Sequence, residues 1–117
     1  MLELKYKIWF EDGGKVFGKG PQSLLIGVRK TGSLMEAAKQ LNMSYNKAFT
    51  LIKSIEKRLG YKLIEGKVGG AGGGGSRLTA EAEKLLDAYT AFADECETAL
   101  TEIFRRHFPS EDAQKTD

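Results

Sequence analysis

From Thr79 to His107 the chain runs 29 residues without a glycine or proline. Its apolar positions there, Leu85, Tyr89, Phe92, Cys96, Ala99 and Ile103, recur at alternating four- and three-residue steps. Thr79 is a helix-capping residue, Glu81 and Glu83 sit in the first turn where the helix dipole favours acids, and Pro109 follows the last turn. A helix of this length is about 43 Å long at 1.5 Å per residue. The roughly 75 residues before it make a body with a radius of gyration of only about 11 Å, too small to cover the helix along its length. Ala82, Leu86, Ala93 and Leu100 widen the stripe. Leaving it in water is unfavourable by about 25 cal/mol per Å². The expected solution is burial against the same helix of a second copy, with Leu85, Tyr89, Phe92, Cys96, Leu100 and Ile103 at the interface and Asp94, Glu97 and Glu102 kept wet. The alternative is a monomer whose helix folds back on its own domain.

The residues before that helix read as short elements. Leu2, Leu4, Tyr6, Ile8 and Phe10 alternate with Glu3, Lys5, Lys7 and Trp9, the period of a strand with one mostly polar face. Glu11-Asp12-Gly13-Gly14 is turn chemistry and Lys15-Val16-Phe17-Gly18 the return, so a hairpin is predicted over residues 2–18. Gly20-Pro21 opens a first helix, with proline at a first-turn position where its missing N–H costs nothing. Leu24, Leu25 and Val28 are its apolar side, and Thr31-Gly32 ends it. Ser33-Leu34-Met35-Glu36 has the spacing of a capping box. The short second helix that follows turns Leu34, Ala37, Ala38 and Leu41 inward. Asn42 suits the left-handed conformation that stops a helix, and Ser44 caps the next. That third helix is predicted from about Tyr45 to Leu59 on a core stripe of Ala48, Leu51, Ile52, Ile55 and Leu59, stopped by Gly60. Tyr61–Glu65 and Arg77-Leu78-Thr79 read as two short strands joined by a tip with six glycines between positions 69 and 75.

Two short helices, a three-residue turn, a longer third helix and a glycine-tipped hairpin make a winged helix-turn-helix. The fold class is mainly α with small β. Residues 1–78 are the winged domain (hairpin 2–18, helix-turn-helix 21–60, wing 61–78), 79–108 the dimerisation helix and 109–117 a disordered tail. The geometry of such a domain places the start of its third helix in a DNA major groove about 12 Å wide, with the wing against the neighbouring backbone or minor groove. The charge distribution agrees: residues 1–77 hold 14 Lys and Arg against 6 Asp and Glu, and residues 78–117 hold 4 against 10.

The candidate contacts follow from residue chemistry. Ser44 opens the helix, Asn46 can pair with adenine, and Lys47 or Lys53 can reach guanine or phosphate. Thr50 offers a hydroxyl and a methyl to base edges. Tyr45 can touch phosphate, and Phe49 either a thymine methyl or the second helix. Lys67, Gly70, Gly72, Gly73 and Arg77 are the wing candidates, and Lys15 and Lys19 are further candidates for phosphate. The partners expected are double-stranded DNA with a near-palindromic site and a second copy of the chain.

Other classes fit less well. Gly70 to Gly75 satisfies the dinucleotide pattern G-x-G-x-x-G through composition alone, and no second parallel strand follows to complete that unit. No G-K-[ST] occurs for a phosphate loop. One histidine, His107, and one cysteine, Cys96, make neither a metal cluster nor a nucleophile pair, so no enzyme, metal or cofactor is expected. No stretch approaches the roughly 20 apolar residues of a membrane span and no signal peptide opens the chain, so a cytoplasmic location is expected. Two competing readings are a winged-helix module for protein interaction, which would need an apolar or acidic third-helix face, and a small oxyanion-binding protein using the glycine tract.

Thr31-Gly32-Ser33-Leu34 through Ala37-Ala38, then Asn42-Met43-Ser44-Tyr45 and the run to Leu59-Gly60, resemble the DNA-binding segment of the molybdate-responsive ModE regulators and, more distantly, the LysR-type regulators. Gly69-Gly70-Ala71-Gly72-Gly73-Gly74-Gly75 leading into Leu78-Thr79 is similar to the ModE type of wing. The resemblance covers roughly residues 3 to 107. It implies a homodimeric winged-helix repressor or activator that reads DNA with Ser44 to Lys53. Members of that family carry C-terminal molybdate-binding domains, which this sequence is expected to lack, so their oxyanion site is not carried over.

Overall fold

The computed structural model describes residues 1–66 and 75–110. In chain order it contains β1 (Phe10–Glu11), β2 (Lys15–Phe17), α1 (Lys19–Thr31), α2 (Leu34–Gln40), α3 (Tyr45–Leu59), β3 (Ile64–Gly66), β4 (Ser76–Leu78) and α4 (Ala80–His107). α1 begins at Gly18 without a side-chain cap, while α2, α3 and α4 begin where side chains can take over orphan backbone donors. The Ser33 hydroxyl accepts from Glu36 N–H, Ser44 from Lys47 N–H and Thr79 from Ala82 N–H, each at 3.1 Å. The Ser33 box is only half built, because Ser33 N–H donates to Thr31 Oγ1 at 3.1 Å and Glu36 stays exposed. Asn42 takes φ +55° in the turn between α2 and α3, and Gly60 closes α3 at φ +82°, a backbone region that disfavours residues with a Cβ.

All four helices and both hairpins contribute to one core. Phe17, Leu24, Leu25, Val28, Ile52, Ile55, Leu63 and Leu86 are its largest fully buried side chains. α1 and α2 cross closely: a Cβ added at Gly27 would stand 2.6 Å from Ala37 Cβ, so this crossing requires glycine there. Leu41 was expected inside but is exposed. It is the residue that ends α2, so the helical period no longer carries it inward, and Met43 packs on the core instead.

The N-terminal hairpin is much shorter than the alternation from Leu2 to Phe10 predicts. Phe10 pairs with Phe17 and Glu11 with Lys15, and no strand precedes Phe10. β2 ends at Phe17 because Gly18 already caps α1, so no backbone is left to pair with Leu2–Trp9. That segment lies along α4 with rising residue numbers opposed. Leu4–Trp9 and Tyr89, Ala93 and Glu97 line one groove, and Met1–Leu4 with Thr101, Phe104 and Phe108 line another. The Tyr89 hydroxyl donates to Ile8 C=O at 2.8 Å. The hairpin turn is tied to the far end of α3, where Arg58 Nη1 donates to Gly13 C=O at 2.8 Å.

α4 divides into two halves. Ala82, Leu86 and Tyr89 are buried in the body, and Tyr89 meets the edges of Phe17 and Phe10 at 5.1 and 5.3 Å. Arg29 of α1 pins the first half from outside, at 2.6 Å from Glu83 and 2.9 Å from Asp87, and these hydrogen bonds hold its pKa above the ordinary value. The Thr90 hydroxyl accepts from Gln22 Nε2 at 3.0 Å, Phe92 meets the Phe10 ring edge-on at 5.6 Å and Ala93 packs on the core; beyond Ala93 the helix leaves the body. The molecule is accordingly elongated, 67 × 32 × 24 Å. The expectation of a disordered tail falls mainly on residues 111–117, outside the described residues.

The burial of Leu86 is testable by unfolding. Leu86→Ala should destabilise the chain by about 2–5 kcal/mol, the range for a buried leucine. The exposed Met35→Ala should change it by less than about 0.5 kcal/mol. Urea unfolding followed by circular dichroism measures both, and equal effects would contradict the assignment of Leu86 to the core.

Candidate nucleic-acid interface

α3 presents two unlike sides. Ala48, Ile52 and Ile55 are buried on the side that faces α1, α2 and β2, while Tyr45, Asn46, Lys47, Phe49, Thr50, Lys53 and Lys57 are exposed. The single acid of the helix, Glu56, is on the buried side, so its solvent face carries only neutral and basic groups. The N-terminal end adds the positive pole of the helix dipole, set up by the Ser44 cap. Among the described residues, the side chains of Asn46, Lys47 and Thr50 make no hydrogen bond or ion pair within the chain, leaving their polar groups available to a ligand.

Tyr45 and Phe49 stack with ring centroids 6.0 Å apart and planes 22° from parallel, and both are exposed. Lys53 Nζ sits 5.3 Å above the Phe49 ring and 3.2 Å from Glu56 Oε1. Phe49 is thus 43% exposed, and Lys53 is held before any ligand arrives.

Glu56 is the residue that sequence reasoning missed. Its Oε2 accepts from Leu63 N–H at 2.7 Å and from Ile64 N–H at 3.4 Å, so a carboxylate on α3 closes the start of β3. The signal available was a charged residue next to Ile55, inside the apolar period of the helix. The other side of the wing base is tied through Thr79, whose N–H donates to Leu63 C=O at 3.0 Å and whose hydroxyl donates to Lys62 C=O at 2.6 Å. β3 and β4 pair antiparallel with Ile64 opposite Leu78 and Glu65 opposite Arg77, and Ser76 N–H reaches Gly32 C=O at 2.7 Å. The base of the wing is therefore fastened both to α3, through Glu56, and to the end of α1.

The other sequence-predicted contacts are placed as follows. Arg77 is exposed and engaged with Glu65 at 3.0 Å. Lys67, Gly70, Gly72 and Gly73 lie outside the described residues. Lys15 lies on the hairpin that Arg58 holds at Gly13, and Lys19 opens α1. Lys15 covers the Trp9 ring at 5.7 Å. Of the residues expected at a helix interface, Tyr89 is a correction, since it is 3% exposed in the chain's own core. Phe92 and Ile103 are exposed, and Leu85, Cys96 and Leu100 are half-buried.

Residues 23–83, just over half of the chain, match the family of bacterial regulatory helix-turn-helix proteins of the lysR type. The matched span opens in α1, takes in α2, α3 and the wing, and closes in the first turn of α4. Among curated relatives, the chain is 33% identical over 81 residues to the molybdenum-pterin-binding protein MopB of Rhodobacter capsulatus, covering 69% of this chain and 30% of MopB. It is 38% identical over 66 residues to the transcriptional regulator ModE of Haemophilus influenzae, covering 56% of this chain and 26% of that protein. The chain thus spans under a third of the length of these relatives. Of solved structures, the protein in the CbnR_DBD–DNA complex matches 75% of this chain and 95% of its own at a TM-score of 0.60 and 20% identity, a likeness of fold. ArgP from Mycobacterium tuberculosis matches 73% of this chain and 30% of its own at a TM-score of 0.53 and 28% identity.

The Glu56 link sets an expectation of its own. Glu56→Ala leaves Leu63 N–H without its acceptor in a buried position and should destabilise the domain by about 1–3 kcal/mol. Thermal unfolding measures the loss, and a variant as stable as the parent would remove Glu56 from the wing base.

Proposed function

The chain belongs to the lysR family of bacterial regulatory helix-turn-helix proteins, and from that premise we propose that it binds DNA sequence-specifically, regulates transcription, and acts as a homodimer. The reading is carried by one observation: the solvent face of α3 is neutral and basic and begins at a capped N-terminus. In this reading Ser44 presents the helix start, Asn46 reads adenine, and Thr50 meets a base edge with hydroxyl or methyl. Lys47 reaches guanine or phosphate. The Tyr45–Phe49 stack gives a phenol to phosphate and a ring to a thymine methyl. Lys53 serves a phosphate at the edge, exchanging Glu56 for it. Lys67, Gly70, Gly72, Gly73 and Arg77 are the wing's contacts to the backbone. The chain works in the cytoplasm, where the DNA is. Among the described residues, no helix is long and apolar enough to cross a membrane.

The dimer is supported by the half of α4 that leaves the body. Phe92, Cys96, Ala99 and Ile103 remain exposed or half-buried on one face, flanked by Leu85 and Leu100. Their spacing of four, three and four residues reads the same from either end. Two such helices packed antiparallel bring Phe92 to the partner's Ile103 and Cys96 to the partner's Ala99. Antiparallel packing also sets Arg105, Arg106 and His107 of one helix towards the acidic end of the other, with dipoles opposed. The operator is then near-palindromic, because the two α3 helices obey the same two-fold axis.

Selection of bound sequences from random DNA by mobility shift tests the reading. Asn46→Ala should relax one base position in each half-site and cost about 1–3 kcal/mol on the selected sequence. With Lys47, Lys53, Lys67 and Arg77 as the contacts of each subunit, roughly 6–8 phosphates give a log–log salt slope of about −5 to −7. A slope near zero, or no enriched sequence, would contradict sequence-specific DNA binding.

A further inference from the structure

Leu2–Trp9 has the residue pattern of a strand and an extended path, yet it has no strand beside it. Among the described residues, the backbone groups of Leu2–Lys7 make no main-chain hydrogen bond. Leu4 and Ile8 are half-buried towards α4, while Glu3, Lys5, Lys7 and Trp9 point outward. The segment and the helix keep pace: six steps from Leu2 to Ile8 cover about 20 Å of strand, and the fifteen from Tyr89 to Phe104 about 22 Å of helix. An extended edge of this kind pairs with another strand when one is brought alongside.

We propose that Leu2–Ile8 pairs with the same segment of a second copy, forming an antiparallel two-stranded ribbon that lies across the two α4 helices. The inference rests on the antiparallel homodimer proposed above and deepens it by naming a second element of the interface. Three observations favour a second copy as the occupant.

The first is position around α4. At about 100° per residue, the groove-lining Ala93 and Phe104 lie roughly a quarter-turn, and Glu97 and Thr101 further round, from the exposed stripe Phe92–Cys96–Ala99–Ile103. The two-fold axis of antiparallel helices is perpendicular to the plane containing them, so segments on that flank of both helices fall on the same side. Helices packed about 8–10 Å apart then leave the two segments close enough to lean together to the strand spacing of about 4.8 Å.

The second is position along α4. The stripe is centred between Cys96 and Ala99, and Tyr6 lines the same groove as Ala93, Asp94 and Glu97 of α4. The middle of the segment is therefore level with the axis.

The third is complementarity. Opposed residues of an antiparallel pair share a face, so only registers that set apolar against apolar keep the alternation. With Lys5 opposite itself the whole of Leu2–Ile8 overlaps. Leu2 then meets the partner's Ile8, Leu4 the partner's Tyr6, and Glu3 the partner's Lys7, each twice. The two Lys5 ammonium groups face one another, and each has its own Glu3 at 3.4 Å to offset the repulsion.

Single cysteines at Glu3, Leu4, Lys5, Tyr6 and Lys7, each in a full chain carrying Cys96→Ser, test this. A disulfide needs Cα atoms about 4.4–6.8 Å apart, and in an antiparallel ribbon only the residue on the axis faces its own copy at that range. Oxidation with copper phenanthroline, read on non-reducing gels, should give one maximum of cross-linked dimer at Lys5→Cys. Cross-linking should be lost at Glu3→Cys and Lys7→Cys. A maximum at Leu4→Cys or Tyr6→Cys shifts the axis by one residue and still supports the ribbon. Sedimentation of the same variants under reducing conditions separates the two readings. Dimers with no cross-linking, or equal cross-linking at all five positions, overturn the ribbon and leave the homodimer standing. Monomers at micromolar concentration overturn both.

Discussion

Leu86 and Tyr89 reach from α4 into the body, and most of the remaining architecture depends on that contact. Tyr89 closes the core against the edges of Phe10 and Phe17 while its hydroxyl holds Ile8 C=O. One side chain therefore fixes α4, the hairpin and the N-terminal segment together. Arg29, pairing with Glu83 and Asp87, and Gln22, bonded to Thr90, keep α1 along the same stretch. Because this anchor runs to Ala93, with Phe92 edge-on to Phe10, the direction of the free half of α4 is set by the core. A dimer built on that half inherits a defined geometry from the domain.

The base of the wing depends on a second, smaller set of bonds. Glu56 accepts from the backbone at the start of β3, Thr79 bonds the residues just before it, and Ser76 joins β4 to the end of α1. The wing base is thereby fastened to α3 without occupying the exposed face of that helix. A buried carboxylate is a costly way to satisfy an amide unless its remaining charge is also met. Lys53 meets it at 3.2 Å and rests on Phe49 as well, so the aromatic pair, the lysine and the wing base form one connected group. The side chains of Asn46, Lys47 and Thr50 stand outside this group and remain uncommitted.

Helix starts were legible in the sequence because a cap acts within three residues: Ser33, Ser44 and Thr79 each announce a helix, and Asn42 announces the turn before α3. The exposure of Asn46, Thr50 and Lys53 follows equally from the period of Ala48, Ile52 and Ile55. Pairing and partnership were not legible. Alternation from Leu2 to Phe10 shows a strand-like segment but cannot show that β2 is too short to accompany it. Helical periodicity makes Tyr89 and Phe92 one stripe and cannot say that the body takes the first and leaves the second exposed. Glu56 was hidden because its partners are backbone amides beyond the end of its own helix, and an amide leaves no mark in the identity of Leu63 or Ile64.

The central claim is that the two-fold symmetry of the α4 pair delivers two copies of α3 to one duplex. A hydroxyl-radical footprint on the selected DNA tests it most directly. The account predicts two symmetric protected blocks whose centres are about 10–10.5 base pairs, or a multiple of that, apart. A single protected block bound by one chain would contradict it.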